Sequence, residues 1–316
     1  MILVTGAEGF VGVQLLKRLS VLGFPVRTLI RSGTNGGCLR RMAGLLCRPA
    51  IADTASLKSA MQGVEQVIHL AGIFRESWKE TFETAHDEAT GRIMQAAREA
   101  KVRHVVYVST LGAAPDRIYP FVRSKWLGEE EVRNSGLSFT ILRPSLVFGE
   151  GDHFLTPLKR LLEWSPYAFI PGYEPLRCQP LWVGDLVSCL VKSVEGGATK
   201  GETIALAGPE QVTFEGVVDL VQGELRAGRP KVLLPLPLAA TATLLLERVM
   251  GSPPLMTGVL DLWRLGAVTS LDAVQKAYGF APMPLSEGVH YLLSSHGSLP
   301  KRRGRRERMV TSNRSI

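Results

Sequence analysis

Short apolar runs recur along the chain, and between them apolar residues fall at helical spacing. Met1 to Val4 reads as a buried strand, Val13 to Leu22 as a helix and Pro25 to Ile30 as a second strand. The alternation continues. Leu45 to Ala52 is a weak strand that Pro49 interrupts, and Leu57 to Met61 is a short helix. Residues 67–72 form a buried strand. A helix over roughly 84–100 carries Ala89, Ile93, Ala96 and Ala97 on one face, and Val102 to Val108 is the next strand. A helix running through Val132 and a strand over Leu137 to Leu142 follow. Strands alternating with helices predict an α/β fold around a parallel, doubly wound sheet of Rossmann type, with a smaller C-terminal lobe. Residues 1–150 are expected to form the core and 151–300 the lobe, with 183–208 returning to the core.

The first strand and helix are joined by Thr5-Gly6-Ala7-Glu8-Gly9-Phe10-Val11-Gly12. Glycine at every third position fits a phosphate-binding turn. Gly6 permits a sharp turn, Gly9 lets backbone approach a pyrophosphate, and Gly12 lets the helix pack closely. The helix N-terminus then offers unpaired N–H groups and a positive dipole end to the anion. At the end of the second strand stand Arg31 and Ser32, where an NAD site commonly places a carboxylate for the ribose 2′-hydroxyl. A guanidinium and a hydroxyl suit a 2′-phosphate, so NADP(H) is expected over NAD(H).

The G-x-x-G-x-x-G spacing resembles that of the extended and atypical short-chain dehydrogenase/reductase family. That resemblance implies roles for further residues. Asp53, at a helix start, would reach the adenine amino group as well as cap its helix. Leu70-Ala71-Gly72 would leave room for the adenosine, and Ser109 and Thr110 would bring hydroxyls to the site. Pro144, in an L-R-P segment, would pass the nicotinamide. The family's proton donor is a tyrosine four residues before a lysine, so that both lie on one helix face. Here Lys125 matches the lysine and Thr110 the hydroxyl, but Phe121 holds the tyrosine position and has no proton to give. Tyr119 falls on another face, beyond Pro120, and would serve only if the loop bent back. Three stretches, 121–129, 156–162 and the Pro-Leu-Pro-Leu of 235–238, look like bacterial relatives of the nucleotide-binding accessory subunit of respiratory complex I. In that group the resemblance implies structurally held NADPH, with quinone or membrane association.

Residues 150–180 are expected to line the substrate side with Leu158, Leu161, Leu162 and Trp164, and Asp185 to cap or brace a helix. Lys231 to Leu246 is very apolar but too short and proline-broken to span a bilayer. It reads either as a cap over the lobe or as a surface helix on a membrane or hydrophobic partner. Four cysteines without metal spacing suit reduced thiols in a cytoplasmic setting, and no leader is expected ahead of a strand that begins at residue 2. The net charge of +8 is concentrated at the C-terminus. Residues 301–316 hold seven Lys and Arg against Glu307, six of the eight charges, in an expected disordered tail. Nothing suggests a nucleic-acid module or a metal site. Three functions are compatible with these features. One is an NADP(H)-binding protein with weak or unconventional redox activity, associated with a membrane or complex. Another is an active reductase, epimerase or dehydratase acting on a hydrophobic or sugar-linked carbonyl of unknown identity. The third is a non-enzymatic NADP(H)-sensing assembly factor.

Overall fold

A computed structural model describes residues 1–30, 45–47, 54–78, 80–172, 176–196, 199–249, 256–266 and 268–294. Arg31, Ser32, Asp53 and the basic segment 301–316 lie outside the described residues. Ile2–Thr5 (β1), Val26–Leu29 (β2), Leu45–Cys47 (β3), Gln66–His69 (β4), His104–Val108 (β5) and Phe139–Pro144 (β6) join the edge strand Thr203–Leu206 in one sheet. The order is edge strand, β6, β5, β4, β1, β2, β3, and every neighbouring pair is parallel. The chain therefore starts mid-sheet, builds outward to β3, then crosses back to β4. That reversal opens a crevice between the C-terminal ends of β1 and β4, where ligands settle in open α/β sheets.

Strand side chains alternate between the two faces. Ile2, Val4, Ile68, Val106 and Leu142 pack with the first helix, α1 (Phe10–Val21), and with helix Val183–Glu195. Leu3, Val67, Val105, Tyr107 and Ile141 face helices Thr54–Ala60, Ala89–Glu99 and Pro120–Asn134. Each fully buried Leu, Ile or Val contributes about 1.5–3 kcal/mol, which explains why both faces of the strands are apolar.

Several elements depart from the pattern-based reading. Gly9, extended at φ −76° and ψ 171°, precedes the first helical residue, so α1 begins at Phe10 and not Val13. The expected helix over 84–100 is two pieces, a π-helical turn Thr84–Glu88 and an α-helix Ala89–Glu99. Pro120 is the first residue of its helix, where its missing N–H has no intrahelical partner to lose. A second core, under the lobe, gathers Phe121, Phe148, Leu155, Leu158, Leu162, Val217 and Trp263. Trp164 is 87% exposed, unlike Leu158 and Leu162, because it falls off the buried face of helix Leu155–Trp164. Asp185 braces rather than caps. Trp182 holds the N-cap position, while the Asp185 carboxylate accepts the Met283 backbone N–H at 2.7 Å and ties the C-terminal segment to the core.

The apolar stretch after Arg229 forms a strand, Lys231–Leu234, paired with Ala168–Pro171, and then helix Leu236–Val249. This helix is not a buried cap. Leu238, Leu244 and Leu245 are each more than half exposed, and Ala239 and Thr243 turn inward. Among the described residues, no helix is long and apolar enough to cross a membrane.

Candidate nucleotide and ligand site

The crevice is a cavity of about 540 Å³. Its floor is the glycine turn. Gly6 sits at φ +67°, and a β-carbon there would lie 2.7 Å from the Ala71 backbone nitrogen. Gly12 is required within the turn itself, because its β-carbon would come within 2.6 Å of Ala7 Cα. The turn is thus pressed against the end of β4. Gly9 supplies no side-chain cap, so the first-turn N–H groups of α1 stay available to an anion. This cradle fits a dinucleotide pyrophosphate.

Thr5, Gly6, Glu8, Gly9, Phe10, Val11 and Gly12 all line the cavity, as do Leu70, Ala71, Gly72, Ser109, Thr110, Phe121, Lys125 and Pro144. The structure therefore brings together every described residue expected to bind cofactor or take part in catalysis, Tyr119 excepted, whereas Leu158, Leu161, Leu162 and Trp164, expected on the substrate side, are not among the lining residues. Tyr119 does not line the cavity. It is the N-cap residue of helix Pro120–Asn134, with the Arg264 guanidinium 5.1 Å from its ring centroid.

A directional hydrogen-bond chain holds the cavity wall. The Ala71 N–H donates to Thr5 Oγ1 at 3.3 Å, and that hydroxyl reaches His69 Nδ1 at 2.5 Å. His69 Nε2 meets Thr90 Oγ1 at 3.0 Å, and Thr90 donates to the His86 carbonyl at 2.5 Å. Both His69 nitrogens are used, and burial, with the Lys125 charge adding to it, lowers its pKa to about 3. His69 is therefore a neutral structural residue. His86, from the π-helical turn, lines the cavity too. Its Nε2 accepts the Ile73 N–H at 3.0 Å, and its Nδ1 lies 2.8 Å from Ser124 Oγ.

Lys125 is buried, and its Nζ donates to the Val108 carbonyl at 2.7 Å over the Tyr107 ring. Burial brings its pKa down to about 8, and the Glu129 carboxylate one turn away opposes that fall. Its remaining N–H donors could hold a ribose. Glu129 is fully buried and receives Ser109 Oγ at 2.5 Å, Arg143 Nε and Nη2 at 2.8 and 2.6 Å, and Arg133 Nη2 at 2.6 Å. The Ser109 hydroxyl is thus committed to bracing β5 against the lysine's helix, while Thr110 also brings a hydroxyl to the cavity wall.

Phe121 is 3% exposed and stacked on Phe74, ring centroids 5.2 Å apart, with Phe82 and His86 edge-on. The position that would give a proton is instead one plate of an aromatic wall. Sequence reasoning missed His86, His153 and the lobe helix Thr257–Arg264, whose Val259 and Leu262 close the cavity. That helix is held by Glu247, which accepts the Thr257 N–H and hydroxyl at 2.6 and 2.7 Å, while Arg75 donates to the Glu247 carbonyl at 3.1 Å.

Residues 6–153 match a family model described as NAD(P)H-binding. The mitochondrial NADH dehydrogenase [ubiquinone] 1 alpha subcomplex subunit 9 of Dictyostelium discoideum is 30% identical over 224 residues, covering 69% of this chain and 62% of that protein. The ceramide reductase of Caulobacter vibrioides is 29% identical over 166 residues, 52% of each chain. This chain therefore spans less than two thirds of either relative's length. A solved NADPH-dependent quinone oxidoreductase of Escherichia coli, complexed with NADPH, superposes with a TM-score of 0.72 over 93% of this chain and 100% of that one. At 20% identity that likeness is one of fold.

Proposed function

Since this chain belongs to the NAD(P)-binding Rossmann family, we propose that it holds NADP(H) in a site whose usual proton donor is missing, so that its redox activity is weak or unconventional. The observation that carries this reading is Phe121, packed into the cavity wall four residues before Lys125. When bound, a reduced nicotinamide would supply a hydride. The chain's own part is to cradle the phosphates on the glycine turn, hold the ribose with Lys125, and present Thr110 to a substrate. Arg31 and Ser32 favour the 2′-phosphate on chemical grounds. Mass spectrometry of the nucleotide retained on purification, with titrations of NADPH and NADH, tests this. Retention of no pyridine nucleotide, or tighter binding of NADH, refutes it.

The exposed leucines of helix Leu236–Val249 and the seven cationic residues of 301–316 support peripheral attachment to an anionic bilayer. The mitochondrial relative is named as an alpha subcomplex subunit of NADH dehydrogenase [ubiquinone], which supports a protein complex as the alternative. Flotation with phosphatidylglycerol vesicles separates the two. Attachment requires binding that weakens with salt and on replacing Leu244 and Leu245 by serine.

A further inference from the structure

Three histidines line the cavity, and two of them have both ring nitrogens engaged: His69 between Thr5 and Thr90, and His86 between Ile73 and Ser124. His153 differs. Among the described residues neither of its nitrogens has a hydrogen-bond partner. It makes ring contacts only, edge-on to Phe10 with centroids 6.5 Å apart and tilted against Phe74 at 5.7 Å. Phe10 heads the phosphate-binding helix, and Phe74 stacks on Phe121. His153 therefore stands where the nucleotide half of the cavity meets the lobe half.

The lobe half is apolar and partly flat. Phe74 and Phe121 are parallel within 25°, and Leu146, Met256, Val259 and Leu262 complete the wall. A site of this kind takes an apolar ligand and orients it with a few polar groups. We propose that His153 is the polar anchor for a flat, apolar carbonyl compound lying along this wall, donating a ring N–H to the ligand's carbonyl oxygen. The proposal rests on the nucleotide-site reading above and names the ligand class of that same cavity. Burial holds the His153 pKa below the ordinary histidine value, against the raising influence of Asp152. The other charged groups on the cavity wall are Glu8, Arg75, Glu80 and Lys125. A neutral imidazole keeps one N–H to donate without bringing a charge into an apolar space.

The test uses the full chain saturated with NADP⁺ and two probes of one shape, 2-acetylnaphthalene and 2-ethylnaphthalene, of which only the first has a carbonyl. In ¹⁵N-histidine-labelled protein, the ketone and not the hydrocarbon should shift the His153 ring signals. His153→Phe and His153→Leu should each weaken ketone binding about tenfold, the size of one neutral hydrogen bond. Both should leave the hydrocarbon and NADP⁺ affinities unchanged, and His153→Gln, which keeps an N–H, should restore most ketone binding. Wild-type protein that binds the ketone no more tightly than the hydrocarbon overturns the proposal, as do variants that bind it as well as wild type. Failure of wild-type protein to bind NADP⁺ would instead defeat the nucleotide-site reading.

Discussion

Replacing Glu129 with glutamine should lower the stability of the fold by about 3 kcal/mol, although the side chain keeps its shape. The carboxylate is fully buried and receives four hydrogen bonds, three of them from the guanidinium groups of Arg133 and Arg143. Removing one partner of a buried ion pair typically costs about 3–5 kcal/mol, because the remaining charge is left without compensation. The Arg133 and Arg143 side chains are 29% and 25% exposed, so water reaches them in part and the lower end applies. At about 2–4 °C per kcal/mol for a domain of this order, the melting temperature should fall by about 6–12 °C. Thermal unfolding followed by near-ultraviolet circular dichroism measures the shift. Glu130→Gln is the control, since Glu130 is 37% exposed, pairs among the described residues with Arg133 alone, and should cost less than about 1 kcal/mol. Equal melting temperatures for wild type and Glu129→Gln would refute the assignment of this network as a buried brace. The variant should also lower the Lys125 pKa further below about 8, because Glu129 is the group that opposes its fall.

Phe121→Tyr should raise NADPH-dependent carbonyl reduction at least tenfold over wild type if the missing phenol alone limits turnover, given that general acid catalysis contributes about 10²–10⁴-fold. Unchanged turnover with intact NADPH binding would show that the site lacks more than a donor. Stability should fall on acidification from pH 6.5 toward pH 3. The unfolded chain protonates His69 below about 6.5, whereas the folded protein holds it neutral down to about 3. His86, likewise held well below its ordinary value by burial, acts in the same direction. Denaturant titrations across that range check the sign, and His69→Gln should flatten the slope.

The glycine turn was legible because each glycine answers a local constraint that any neighbour of that size would impose. Gly6 needs positive φ, and Gly12 needs room beside Ala7. The parallel strands were legible because burial on both faces leaves near-continuous Val, Ile and Leu runs. The start of the first helix was not, since Gly9 acts through backbone geometry that apolar spacing ignores. His86 was invisible for a related reason. A π-helical turn shifts its register by one residue, and no side-chain pattern announces that shift. Helix Thr257–Arg264 carries an ordinary amphipathic sequence, and only the long-range contact of Gly258 with Phe74 and Phe121 makes it a cavity wall. The exposure of Leu238, Leu244 and Leu245 was undecidable from composition, because an apolar helix looks the same whether its partner lies inside or outside the molecule.

The chain of bonds from Ala71 to His86 begins at an amide that can only give a proton and ends at a carbonyl that can only receive one. Each hydroxyl between them must therefore point the same way, and His69 is confined to the tautomer protonated on Nε2. Five groups thus share a single polarity, like dominoes standing in one direction. A group that reversed its direction anywhere along this run would leave a buried donor or acceptor without its partner.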